Sequence, residues 1–490
     1  MERRQFLSLM AAVAGTPLVA RCARLATPSP PKVYRSESGS LAVALTASLG
    51  RVSLGGRSAT LMTYNQQIPG PQLEVRPGDR VQIRFTNALD QPTNLHYHGL
   101  HLPPTGLADD PFRTVAPGET ALYDFQIPDA HPSGFFWYHP HFHGLVAQQV
   151  FHGLAGTIIV RGDEVPGNVD HLPELQAAQE AVLVLQDFDL DRRGQVREPM
   201  PPFRMWGRQG DLITVNGQVQ PRFNLPQGGL LRLRILNASA SRVYQLQLAE
   251  DHPWWLAATD GLTLADPVAQ EAVVLAPGER ADLLVPGDQP PGNYALLSLP
   301  YDRGIAAMAR SMMGHGAMMG AGTGDTEEPQ TIATLDYGET TASESESSIL
   351  VNLPTALGTV ETLPEPTTVR EFVFDHGIDP ETHDPFLING RAFGHHRVDT
   401  QVQVGTVEDW VLINKAGMDH PFHLHTNWFQ VISRNGQPEP LRAWKDVVNL
   451  RPYETVRIRI PFRDFAGKTV YHCHILDHED QGMMEIVEMV

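Results

Sequence analysis

One phrase is written three times along this chain, at intervals of about 150 residues, and it limits the fold more than any other feature. The copies are YNQQIPGPQLEVRPGDRVQIRFTNAL (Tyr64 to Leu89), VNGQVQPRFNLPQGGLLRLRILNAS (Val215 to Ser239) and INGRAFGHHRVDTQVQVGTVEDWVLINKAG (Ile388 to Gly417). Each opens on an Asn-containing turn and closes an alternating strand on a second Asn: Asn65 to Asn87, Asn216 to Asn237, Asn389 to Asn414. Alternation of period two is plain in RVQIRF and LLRLRI, and again in VRIRI (Val456 to Ile460), and marks half-buried strands. Repeats this far apart are domains, not solenoid turns. The reading is an all-β chain of three β-sandwich domains in tandem. Its 42 glycines and 40 prolines suit many turns and short strands.

Composition shifts mark the joints. RGDEVPGNVDHLPELQ (Arg161 to Gln176) separates the first two units, and YGETTASESESSILVNLP (Tyr337 to Pro354) the second and third. The expected domains are 31–163, 177–336 and 350–490, with a low-complexity, Met-rich insert at about 304–329. Residues 1–30 form the expected leader. Arg3-Arg4 followed by Gln5, Phe6 and Leu7 resembles a twin-arginine export signal, and the apolar run after it is too short to span a bilayer. The mature protein is expected to be exported, periplasmic or the equivalent, and monomeric, with no membrane span. A net charge of −19 argues against nucleic acid as a partner and favours cationic ligands or plain solubility.

The histidines are not evenly spread. Four motifs gather ten of the 21: HYH (His96, His98), WYHPH (His139, His141), HPFHLH (His420, His423, His425) and HCHILDH (His472, His474, His478). All lie in the first and third units, and the middle unit has no His-x-His. On a strand, residues i and i+2 face one side. Each His-x-His therefore presents two imidazoles to one point, and four converging pairs suit copper, zinc, iron or nickel. In HCH the middle residue points the other way, so Cys473 serves a different site from His472 and His474. His478 and Met483 can fold back to join Cys473, with His420 from a neighbouring strand. Two histidines, a cysteine and a weak methionine are the blue-copper set, suited to one-electron transfer. A structural zinc site would be compact and built on Cys pairs. Here the only other cysteine, Cys22, lies in the leader.

Together these motifs resemble the multicopper oxidases over nearly the whole mature chain. The resemblance implies three tandem cupredoxin-like Greek-key β-sandwich domains and four coppers per chain. The type 1 copper would take His420, Cys473 and His478 with Met483 axial. The type 2 copper would take His96 and His423. The type 3 pair would take His98, His139, His141, His425, His472 and His474. No ligand position is substituted, which sets the chain apart from copper-free relatives such as the cell-division cupredoxin proteins. His101 and His143 match no ligand position and read as supporting residues. The implied chemistry is one-electron oxidation of a reductant and four-electron reduction of dioxygen to water. Either Asp109 or Asp110 would be the acid near the type 2 copper, and Glu479 matches a proton-relay carboxylate.

The substrate is less constrained. MARSMMGHGAMMG (Met308 to Gly320) holds Met308, Met312, Met313, His315, Met318 and Met319, and thioethers select Cu(I). It resembles inserts of bacterial cuprous oxidases, in which residues like Met418 and Asp419 also bind Cu(I). The expected reductant is Cu(I), with phenols and aromatic amines behind it. A general laccase-type phenol oxidase and a copper-sequestering protein are the alternatives.

Overall fold

A computed structural model describes residues 31–163, 168–225, 227–249, 251–304, 328–337 and 352–490. The Met-rich insert from Met308 to Gly320 and the leader lie outside the described residues.

Six β-sheets pair into three sandwiches, as the threefold phrase requires. The first pairs a five-stranded sheet, running from Val33–Arg35 to His96–His98, with a four-stranded one built on Ser40–Leu54 and Arg80–Asn87. The second pairs a six-stranded sheet centred on Leu230–Asn237 and Arg280–Pro286 with a five-stranded one centred on Gly292–Leu299. In the third, a sheet built on Thr406–Asn414 and Thr455–Phe462 faces the five strands Thr400–Val402, Met484–Met489, Gly467–Cys473, His420–Leu424 and Val447–Leu450. Helices among the described residues are short: Val146–Phe151, Pro173–Ala177 and Leu476–Asp480. None is long and apolar enough to cross a membrane.

The repeated asparagines explain why the phrase recurs. Asn65, Asn216 and Asn389 have φ of 51°, 53° and 53°, the left-handed region that Asn tolerates. Each side-chain oxygen accepts from a backbone N–H of a nearby strand: Thr46 at 2.8 Å, Val184 at 2.9 Å, Val373 at 2.9 Å. The closing asparagines act alike. Asn87, Asn237 and Asn414 accept from the N–H two residues on, and donate to carbonyls across the loop. Behind each brace lies the same parallel pair of strands: Ser40–Leu54 with Arg80–Asn87, Gln179–Phe188 with Leu230–Asn237, Thr368–His376 with Thr406–Asn414.

Each sandwich has its own apolar core, and smaller cores join them. Phe135, Trp137 and Ile159 of the first unit pack on Val184 and Leu236 of the second. Val146, Val150 and Phe151 meet Ala240 and Leu476, so all three units share one seam. The histidine strands lie along these seams.

One buried acid makes the third sandwich sensitive to pH. Glu485 on Met484–Met489 accepts from the Tyr471 hydroxyl, and burial pushes its carboxyl up to about 8 against that hydrogen bond. An unfolded Glu releases its proton near about 4.3, so the folded chain holds one more proton between the two values. Stability therefore falls as pH rises through this window, by at most about 1.4 kcal/mol per pH unit. Glu485→Gln keeps an acceptor for Tyr471 and has no proton to lose. Thermal unfolding at pH 5 and 8.5 should show a smaller loss in the variant than in the parent, and an unchanged difference would reject this account.

Candidate metal centre

Two donor clusters sit on opposite faces of the strand that ends at Cys473. The first is a triangle. Cys473 Sγ lies 3.5 Å from His420 Nδ1 and 3.7 Å from His478 Nδ1, and the two nitrogens are 3.3 Å apart. The centre of such a triangle is about 2 Å from each corner, a metal–donor bond length. All three residues are fully buried. Register explains the meeting: Cys473 pairs with Phe422 on His420–Leu424, and the short helix Leu476–Asp480 brings His478 back. His478 Nε2 donates to the Met205 carbonyl at 3.1 Å, which leaves Nδ1 as the free lone pair. Its ring stacks on Phe386 at 4.0 Å. The Ile475 N–H points to Sγ at 3.4 Å. Met483 is fully buried and tied to both neighbours: its N–H donates to the His478 carbonyl, and its carbonyl accepts from the Cys473 N–H. Burial pushes the Cys473 thiol up and holds both imidazoles neutral, so a bound cation is what would favour the thiolate.

The second cluster gathers the eight paired imidazoles, all buried. His96 lies opposite His139, and His423 opposite His472, on antiparallel strand pairs. His96 stacks on His425 and His98 on His423, both at 3.7 Å, so rings from the first and third units interleave. His472 Nε2 is 3.2 Å from both His141 Nε2 and His425 Nε2. Burial and the neighbouring imidazoles hold the histidines well below their usual range, His141 and His472 at about 4. The outward nitrogens are tied down: His96 Nδ1 to Asp109 at 3.0 Å, His139 Nδ1 to the Pro140 carbonyl at 2.9 Å, His423 Nδ1 to the Asp446 carbonyl at 2.8 Å. Their Nε2 atoms are buried without a hydrogen-bond partner among the described residues. His98 is reversed: Nε2 meets Asp446 Oδ1 at 3.1 Å and Nδ1 is the unpartnered atom. Buried polar groups left unpaired cost free energy, so this many inward lone pairs fit a metal cluster and fit a plain core poorly.

The carboxylates divide clearly. Asp109 is buried on His96 and also accepts from the Tyr97 N–H, and burial pushes it up to about 7. Asp110 turns away and accepts from the Phe112 N–H at 3.0 Å. Glu479, fully buried, lies 3.0 Å from His472 Nδ1 and 3.4 Å from His141 Nε2. His143 lines a cavity of ≈ 220 Å³ that reaches His141, together with Phe393, His395 and Met484. His101 instead bonds the Thr426 carbonyl and Asp464, tying the first unit to the third.

Near the triangle, Asp419 Oδ2 accepts from Tyr301 at 2.8 Å and Asn449 at 2.7 Å, while Oδ1 is buried and unpartnered among the described residues. Burial lifts this carboxyl to about 6. Met418 beside it is fully buried, and its carbonyl accepts from the Asn414 amide at 2.8 Å. Met308, Met312, Met313, His315, Met318 and Met319 lie outside the described residues. Residues that the motifs did not signal are Asp446, Arg280, Gly278 and Met205. Asp446 and Met205 bond the histidines, Gly278 lies against them and Arg280 holds Asp446, all from distant sequence positions with no local pattern to reveal them.

Family models described as multicopper oxidase match residues 47–165, 182–314 and 361–489. A multicopper oxidase of Staphylococcus aureus is 27% identical, covering 93% of this chain and 90% of its own length. The cell division protein FtsP of Edwardsiella tarda is 30% identical, with 91% and 90% covered. Among solved structures, a Campylobacter jejuni multicopper oxidase described as a metallo-oxidase superposes with TM-score 0.80 at 30% identity, covering 94% of each chain. McoA of Aquifex aeolicus gives 0.78 at 27% identity, with 94% and 99% covered. Three sandwiches, a thiol–imidazole triangle and an eight-imidazole cluster thus meet three matching family models, and this chain belongs to the multicopper oxidases, copper-dependent oxidoreductases that reduce dioxygen.

Proposed function

We propose that the chain holds four coppers and oxidises Cu(I) in preference to organic reductants. His420, Cys473 and His478, with Met483 axial, would hold the type 1 copper. His96 and His423 would hold the type 2 copper. His98, His139, His141, His425, His472 and His474 would hold the type 3 pair, with His141, His425 and His472 converging on one of its members. Copper there supplies one-electron uptake at the triangle and four-electron reduction of dioxygen to water at the cluster. The observation that carries this reading is the alternation at His472-Cys473-His474: adjacent residues, joined by covalent bonds, face the two donor sets. Asp109 orients His96, and Glu479 can hold a proton against His141 and His472.

What supports Cu(I) is the pair of buried groups beside the triangle. The Met205 carbonyl occupies His478 Nε2, the imidazole edge a phenol would otherwise hydrogen-bond. Asp419, next to His420, offers a carboxylate oxygen that is unpartnered among the described residues and suited to a small cation. The chain's charge of −19 agrees. The twin-arginine pattern supports export, and copper tolerance is the role that fits an exported Cu(I) oxidase.

Steady-state dioxygen consumption with Cu(I) and with a phenol tests the substrate. Deleting Met308 to Met319 should lower the Cu(I) rate selectively. Equal losses on both substrates, or none, would reject Cu(I) as the preferred reductant and leave a general phenol oxidase. Tight binding of more than four coppers with negligible turnover would instead indicate sequestration.

A further inference from the structure

The middle sandwich carries no His-x-His pair, yet it reaches the cluster. We propose that Asp446, clamped by Arg280 of the middle domain, is a positioning residue that sets His98 and His423 for the trinuclear site. This rests on the ligand reading above.

Asp446 is buried and serves two histidines from different domains. Its Oδ1 takes His98 Nε2 at 3.1 Å, and its backbone carbonyl takes His423 Nδ1 at 2.8 Å. His98 belongs to the first unit and His423 to the third, and their rings stack at 3.7 Å with an 8° tilt. Asp446 thus sets which nitrogen each ring turns inward: Nδ1 for His98, Nε2 for His423.

The carboxylate is itself held from the middle unit. Arg280 Nη1 and Nη2 fork onto Oδ1 and Oδ2 at 2.6 and 2.7 Å. Arg280 is in turn fixed by the carbonyls of Gly278, Asp260 and Phe135. Asp260 accepts from the backbone N–H groups of Asp446 and Val447, both at 3.2 Å, and pairs with Lys445 at 2.9 Å. Lys445 also reaches Glu279 at 3.0 Å. A buried carboxylate with a single imidazole partner would be costly to keep ionised, and the bidentate guanidinium compensates it.

Two glycines leave room for this arrangement. A Cβ on Gly99, which follows His98 and has φ +85°, would stand 2.3 Å from Arg280 Nη2 and 2.5 Å from Asp446 Oδ2. A Cβ on Gly278, with φ +86°, would stand 3.0 Å from both His474 and His98. The middle domain's backbone therefore lies directly against the cluster histidines. A mere interdomain brace would need neither the contact with the imidazoles nor the close glycine approach.

The test uses the full-length, copper-loaded chain and the variants Asp446→Asn, Arg280→Met and Arg280→Lys. Copper per chain, blue absorption, the paramagnetic resonance signal of the type 2 copper and thermal unfolding of the apo-protein are measured. Asp446→Asn and Arg280→Met should keep the blue absorption while cluster copper binds about 10- to 100-fold more weakly, with an altered resonance signal. Arg280→Lys should recover part of that affinity, since it keeps the charge but not the fork. Parental cluster affinity and signal in both Asp446→Asn and Arg280→Met would overturn the proposal. So would equal loss of blue absorption and cluster copper, which marks a general structural brace. If Arg280→Met does not fold, Asp446→Asn, nearly isosteric, decides alone. A parent chain with blue absorption but no cluster copper would refute the ligand reading itself, before any variant is compared.

Discussion

Cys473→Ser should abolish the blue absorption and dioxygen consumption together, while the protein still folds and the eight-imidazole cluster still binds copper. The physical reason is local. Cys473 supplies the one sulfur of the triangle formed with His420 and His478, and a serine hydroxyl is neither soft nor readily ionised. The swap is nearly isosteric, so the fully buried site loses little packing. The imidazoles of His472 and His474 project from the other face of the strand and keep their neighbours. Copper analysis and visible spectra distinguish this from unfolding: about one copper fewer per chain is expected under the four-copper reading, with the cluster's resonance signal retained. A variant that consumed dioxygen at the parental rate would refute electron entry at this triangle.

Glu479→Gln should separate electron uptake from dioxygen reduction. Its carboxylate lies 3.0 Å from His472 Nδ1 and 3.4 Å from His141 Nε2, with no solvent exposure. Reduction of dioxygen to water consumes protons, and burial pushes this acid up to about 7, near the working range of a proton donor. Gln fills the same space but cannot release a proton. In stopped-flow experiments the blue absorption should bleach with reductant at the parental rate. Reoxidation by dioxygen should slow by about 10²- to 10⁴-fold, the usual contribution of a placed acid. The sign of the pH effect follows: Glu479 carries its proton below about 7 and loses it above, so parental turnover falls as pH rises through that value. The variant should lack that limb. Parental reoxidation kinetics in Glu479→Gln would remove this residue from the proton path.

The sequence made some of this architecture readable and hid the rest, for physical reasons. Asn65, Asn216 and Asn389 were readable because each brace is local, a turn residue bonded to a nearby strand. The separation of Cys473 from His472 and His474 was readable because strand alternation is a geometric rule. Asp109 and Asp110 could not be separated, since both lie in one loop and only its path aims the first at His96 and the second at Phe112. Arg280 and Asp446 are 166 positions apart, so no local pattern could have paired them.

The His472-Cys473-His474 segment has a further consequence for how the molecule fails. The covalent path between the two donor sets runs through adjacent residues at the end of Gly467–Cys473, and its length does not depend on how the sandwiches are seated. The cluster itself is split, because half its imidazoles belong to the first sandwich and half to the third. Heat, denaturant or an insult at the shared seam would therefore separate the two halves of the oxygen site before breaking the wire. A partly loosened molecule would still take electrons and turn colourless, but would not pass them on. Its early damage would be a stall in the reduced state rather than bleaching by loss of copper.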